Sequence, residues 1–169
     1  MRNVGILRSL NVSVTKILGT VAAWTLAYAG DMFTYTADTT DEVCYIAVPI
    51  EISQIDDSEG VGLSKIETIE VAYNVGTAAL DAAVVAEIQS VAKAVDGAAP
   101  AVTTKACTVS DSVLSDTTTV DDHTIIITPD ANLLLSCDAN LILEVAFDKA
   151  ATSTVAIKGI NVNYKPIVG

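Results

Sequence analysis

Arginine vanishes from this 169-residue chain after Arg8, and no carboxylate appears before Asp31. Of the nine Lys and Arg residues, only Arg2, Arg8 and Lys16 fall in the first thirty positions; the remaining 139 hold six Lys against all 21 Asp and Glu. The opening stretch is therefore +3 and the rest −15. A body without clustered basic residues excludes binding to a phosphate backbone, which needs Lys and Arg to neutralise it. The same deficit disfavours an anionic membrane surface. No segment reaches the roughly 18 consecutive apolar residues of a spanning helix.

Catalytic and ligating residues are equally scarce. There is one His, one Trp and 5% aromatic content. The three cysteines, Cys44, Cys107 and Cys137, are separated by 63 and 30 residues, which fits no zinc or redox spacing. Each sits among apolar neighbours, so free, buried thiols in a reducing compartment are expected. Glycine-rich phosphate loops, CxxC pairs and a G-x-S-x-G serine are absent. Nothing in the sequence points to an enzyme or to a cofactor.

What is present is alternation. Hydrophobic residues make up 51% of the chain, much of it Ala and Val. Small and β-branched side chains suit sheets packed face to face. A chain of this length buries roughly 70% of its unfolded surface and needs no disulfide or metal staple. Residues 20–28 and 31–37 predict two strands joined at Gly30-Asp31. Cys44, Ile46, Val48, Ile50 and Ile52 share one face by period two, with Pro49 marking an edge or a bulge. Ile69, Val71, Tyr73 and Val75 alternate with Thr68, Glu70, Ala72 and Asn74.

Residues 77–95 are ambiguous between an Ala-rich helix and a loop followed by a strand from about Val84; the second is favoured because Val84, Ala86 and Ile88 oppose Glu87 and Gln89. Further strands are expected over 102–109, from His123 to Thr128, and through Leu141, Leu143, Val145 and Phe147. In the last strand, Val155 and Ile157 have one parity and Ile160, Val162 and Tyr164 the other. A bulge at Lys158-Gly159 would keep all five inward. Eight or nine short strands with few tight hairpin signals predict an all-β, single-domain, jelly-roll-like β-sandwich.

The sandwich is expected over residues 20–169, preceded by an extended N-terminal arm over 1–19. Ile6, Leu7, Leu10, Val12, Val14, Ile17 and Leu18 make the arm too apolar for a free tail, so it should dock on its own domain or a neighbour. Residues 17–29, ending in Ala27-Tyr28-Ala29, imitate a secretory leader. The run continues into Asp31–Thr36 as into a strand pair, and it is read as structure rather than a cleaved segment.

Few residues could carry chemistry. His123 follows Asp121 and Asp122 and could be a base or a metal ligand. A polar strand start beside a solvated turn explains it more simply. Asp56, Asp57 and Glu59 could bind Ca²⁺ but lack the alternating spacing of a calcium loop. Asp121, Asp122 and Asp148 could join them only if the fold converged there. Trp24 lies in an apolar strand and reads as core.

The runs Phe33–Ile50 (FTYTADTTDEVCYIAVPI), Ile69–Val75 (IEVAYNV) and Lys149–Tyr164 (KAATSTVAIKGINVNY) resemble the small jelly-roll capsid decoration (cement) and auxiliary virion proteins of tailed bacteriophages. The resemblance is one of texture and strand order across residues 31–165. It implies a structural virion protein made in the host cytoplasm, forming a homotrimer on the capsid exterior and stabilising the shell by bridging subunits. Its partners would be the major capsid protein or neighbouring virion subunits. The candidate arm contacts are Arg2, Ile6, Leu7, Arg8, Leu10 and Lys16. A carbohydrate-binding β-sandwich of a fibre or cell surface, and a strand-exchanging filament subunit, are the competing expectations.

Overall fold

In a computed structural model of the chain, the described residues are 7–12, 18–19, 24–29, 32–37, 42–50, 63–92, 99, 101–112, 116–130, 133–135 and 139–167. They contain strands and no helix. In chain order the strands are β1 (Arg8–Val12), β2 (Leu18–Gly19), β3 (Trp24–Ala29), β4 (Met32–Ala37), β5 (Glu42–Ile50), β6 (Leu63–Gly76) and β7 (Val85–Ala92). There follow β8 (Val102–Lys105), β9 (Cys107–Asp111), β10 (Asp122–Pro129), β11 (Leu133–Leu135), β12 (Ala139–Lys149) and β13 (Thr154–Ile167).

Two antiparallel sheets pack against each other as a β-sandwich. One runs β3-β4-β13-β6-β10-β9, with β1 also on β13 and β11 also on β6; the other runs β2-β5-β12-β7-β8. Four neighbouring strands of each sheet, β4-β13-β6-β10 and β5-β12-β7-β8, have the order of a jelly roll, in which most connections cross between sheets. This crossing explains why tight hairpin signals are scarce in the sequence.

The interior follows from period-two patterning. Ile46, Val48 and Ile50 of β5 are buried, as are Ile69, Val71, Tyr73 and Val75 of β6 and Leu141, Leu143, Val145 and Phe147 of β12. Fully burying such a side chain contributes about 1.5–3 kcal/mol, whereas an exposed ion pair contributes about 0–1 kcal/mol. The interior, not the surface charge, therefore holds the sandwich together.

The expected bulge in β13 is present. Ile157 pairs with Tyr73 and Gly159 with Ala72, which leaves Lys158 as the extra residue. Val155, Ile157, Ile160 and Val162 are all buried, whereas Tyr164 is half-buried. A second irregularity places Asn163 opposite Thr68 and Tyr164 opposite Ile66, so Glu67 is extra on β6. That shift lets Ile66 and Ile69 both face inward despite opposite parity.

One expectation changes, one strand is new, and one ambiguity resolves as favoured. The single strand over 102–109 is two strands: β8 pairs with β7 in one sheet, β9 with β10 in the other, and the chain changes sheets at Ala106. β11 carries no alternation of its own and pairs with Ser64–Ile66. The ambiguous segment resolves as a connection and then β7, with Val84, Ala86 and Ile88 buried. That connection begins with a tight γ-turn: the Ala78 amide donates to the Gly76 carbonyl (2.8 Å) around Thr77, whose φ is 67°. A β-branched residue there is strained. A Cβ at Gly76 would lie 2.5 Å from Thr154 Oγ1, so any larger residue there obliges the Thr154 side chain to move.

Pro49 lies opposite Ile142 of β12, and on the other side of β5 the described β2 residues pair with Ala47 and Ile46. Of the arm, β1 docks on its own sheet with Arg8 opposite Tyr164 and Leu10 opposite Val162, and Val12 enters the core.

Candidate functional site

Period two places His123 with Ile125 and Ile127 on the inner face of β10, and all three are buried. His123 stands at the start of β10 as expected, but at 2% exposed its side chain is buried rather than solvated. Its partner is neither adjacent aspartate. Nδ1 lies 2.9 Å from Asp111 Oδ2 at the end of β9, and Nε2 lies 2.8 Å from the Thr119 carbonyl. Facing a carbonyl, Nε2 must donate. Nδ1 and Oδ2 then hold one proton between them, as an imidazolium–carboxylate pair or as neutral partners.

The ring stacks on Tyr73 (centroids 5.0 Å, 20° between planes), which meets Phe147 edge-on at 5.2 Å. The Tyr73 hydroxyl donates to the Thr117 carbonyl at 2.9 Å. Burial, then the Asp111 and Asp116 carboxylates, push the Tyr73 phenol well above its ordinary value. The loop over residues 116–121 is also tied elsewhere. Leu80 N donates to Thr118 O, Val75 N to Asp121 O, and Val84 N to Thr117 Oγ1. Both imidazole nitrogens already face protein acceptors, leaving neither for a substrate or a metal. The cluster is a cross-brace joining β6, β9, β10 and this loop.

The other aspartates named from sequence that fall among the described residues do not converge. Asp122, on β10, accepts from Lys158 Nζ (2.6 Å) and Asn74 Nδ2 (2.8 Å), and those contacts hold its carboxyl below its ordinary value. Asp121 Oδ1 accepts from the Asp122 amide. Asp148 lies in the opposite sheet, on β12. Among the described residues no group of three His, Cys, Asp or Glu side chains could hold a metal. Asp56, Asp57 and Glu59 lie outside the described residues, as does Cys137. Cys107 is a free, half-buried thiol, pushed up to about 11 by burial and then by Asp130.

A second feature was not visible as a motif. The outer face of β5, β12 and β7 forms a shallow trough of about 360 Å³. Its apolar lining includes Val43, Val85 and Ala146, and its acids are Glu87, Glu144 and Asp148. Glu87 lies directly opposite Glu144 in the strand register, an unfavourable like-charge pair. No ion pair reaches these three carboxylates among the described residues. Val43 and Val85 are exposed, the latter at 56%.

Of the candidate arm contacts, Leu7 is exposed just before β1, and Arg8 and Leu10 lie within β1. Arg2, Ile6 and Lys16 lie outside the described residues. Trp24 begins β3. No protein-family model matches the chain, and no curated protein matches its sequence.

Proposed function

We propose that this is a non-enzymatic structural protein of a phage virion, a capsid decoration protein that stabilises the shell by bridging subunits. The observation that carries the reading is the division of one chain into a basic, apolar N-terminal segment and an acidic jelly-roll body. Jelly rolls serve capsids and lectins alike, so the fold alone does not choose between them. The charge division favours a protein that grips an acidic protein surface, and apolar side chains around an acidic trough suit contact with a basic partner. On this reading the protein is a homotrimer on the capsid exterior, and its partners are the major capsid protein and neighbouring copies.

The test is the native mass of the purified protein at two concentrations. A trimer indifferent to dilution supports the proposal. A monomer at both concentrations favours a binding module such as a lectin, and an open ladder of masses favours a filament subunit. The segment before β1 is the part to remove when particle attachment is assayed. Deleting all of residues 1–19 would also take away β1 and the core residue Val12.

A further inference from the structure

We propose that the acidic trough on the outer face of the five-stranded sheet binds the N-terminal segment, residues 1–7, of a second copy of this chain. The inference rests on the subunit-bridging reading and names the surface that does the bridging. The trough, lined also by Tyr45, presents Glu87, Glu144 and Asp148 beside exposed Val43 and Val85; Glu87 accepts from Gln89 Nε2 at 3.3 Å, and no cation is paired to the acids among the described residues. Its complement is therefore an apolar segment carrying positive charge.

The stretch before β1 is such a segment, and unlike the other acid-free basic runs it lies ahead of every described strand of the sandwich. Residues 1–7 include Arg2 and no acid, and Arg2, Val4 and Ile6 recur at every second position. In an extended conformation those three would share a face, as an occupant of this trough requires. Leu7, where the segment meets β1, is 55% exposed.

Two further observations favour a copy-to-copy contact of this kind. β1 belongs to the eight-stranded sheet, whereas the trough faces outward from the other sheet, so a neighbour's segment approaches without crossing the sandwich. Packing of two troughs about a two-fold axis would set Glu87, Glu144 and Asp148 against their own copies, which costs repulsion. A segment-to-trough contact is instead heterologous, and heterologous contacts close into rings or run on as filaments.

The test uses the full chain carrying the photo-crosslinker p-benzoylphenylalanine in place of exposed Val85. Copies of natural isotope content are mixed with ¹⁵N-labelled copies, irradiated and mapped by mass spectrometry. The expected result is mixed-isotope crosslinks ending in residues 1–7. In parallel, Glu144→Lys should weaken self-association by at least about tenfold, and Arg2→Glu should restore it in the double variant. Crosslinks within one copy, or to another segment of a second copy, would overturn the inference. Unchanged association of Glu144→Lys would overturn it too, and in each of these cases subunit bridging itself survives if the wild-type protein is oligomeric. A wild-type protein that is monomeric and yields no mixed-isotope crosslink would overturn both.

Discussion

Six carboxylates of this protein fall into two groups with opposite circumstances. Asp111, Asp116 and Asp122 each have a partner within the fold: the His123 ring, the amide and hydroxyl of Thr118, and the pair Lys158 and Asn74. Glu87, Glu144 and Asp148 line a trough with apolar neighbours; Glu87 accepts a 3.3 Å bond from Gln89 Nε2 on its own strand, and Glu87 and Glu144 oppose each other across a strand pair. The first group fastens the corner where β6, β9 and β10 meet. The second contributes repulsion to the isolated chain, and a positively charged partner would relieve it. On the proposed reading, the contrast separates charge that maintains the fold from charge left for recognition.

The largest expected effect lies in the first group. Asp111→Ala leaves the buried His123 without its carboxylate, and breaking one side of a buried pair costs about 3–5 kcal/mol. Urea unfolding should report that loss as a lower midpoint at unchanged slope. Tyr73→Phe keeps the stacking but orphans the Thr117 carbonyl; a loss of about 1–3 kcal/mol is expected by the same measurement.

Glu144→Gln should act in the other direction. Removing one of two directly opposed charges should raise the stability of the isolated chain by about 0.2–1 kcal/mol. The same substitution should weaken self-association, measured by sedimentation. A loss of stability, or unchanged association, would erase the distinction between the two groups.

The smallest effect is at Asp122. Its folded carboxyl lies below the ordinary value because of Lys158 and Asn74. Its contribution is therefore present above the unfolded value, about 3.9, and is lost as pH falls through the lowered folded value. Glu67 has the same sign: burial acts to raise it, but Lys65 and Lys165 together outweigh that. Asp122→Asn should flatten the acid limb of the stability–pH curve slightly and leave the neutral region nearly unchanged.

Much of the fold was legible because period two is a local property. The β3–β4 pair, the buried parity of β5, β6 and β12, and the bulge at Lys158 all followed from neighbouring residues. What is set by long-range pairing was not legible. The chain changes sheets at Ala106 with no break in composition, and β11 is a strand because β6 offers it an edge. His123 carried a usable signal, since its parity with Ile125 and Ile127 marks an inward side chain. Asp111 did not, because its partnership depends on β9 lying beside β10. The trough was invisible for the same reason: Val43, Glu87 and Asp148 come from three strands far apart in sequence.

Carboxyl footprinting with a water-soluble carbodiimide, on dilute and concentrated full-length protein, compares the two groups most directly. The prediction is that Glu144 and Asp148 label readily when dilute and become protected on concentration, while Asp111 stays unlabelled throughout. Labelling of Glu144 and Asp148 that is indifferent to concentration, or of Asp111 at the same rate as Glu144, would contradict the account.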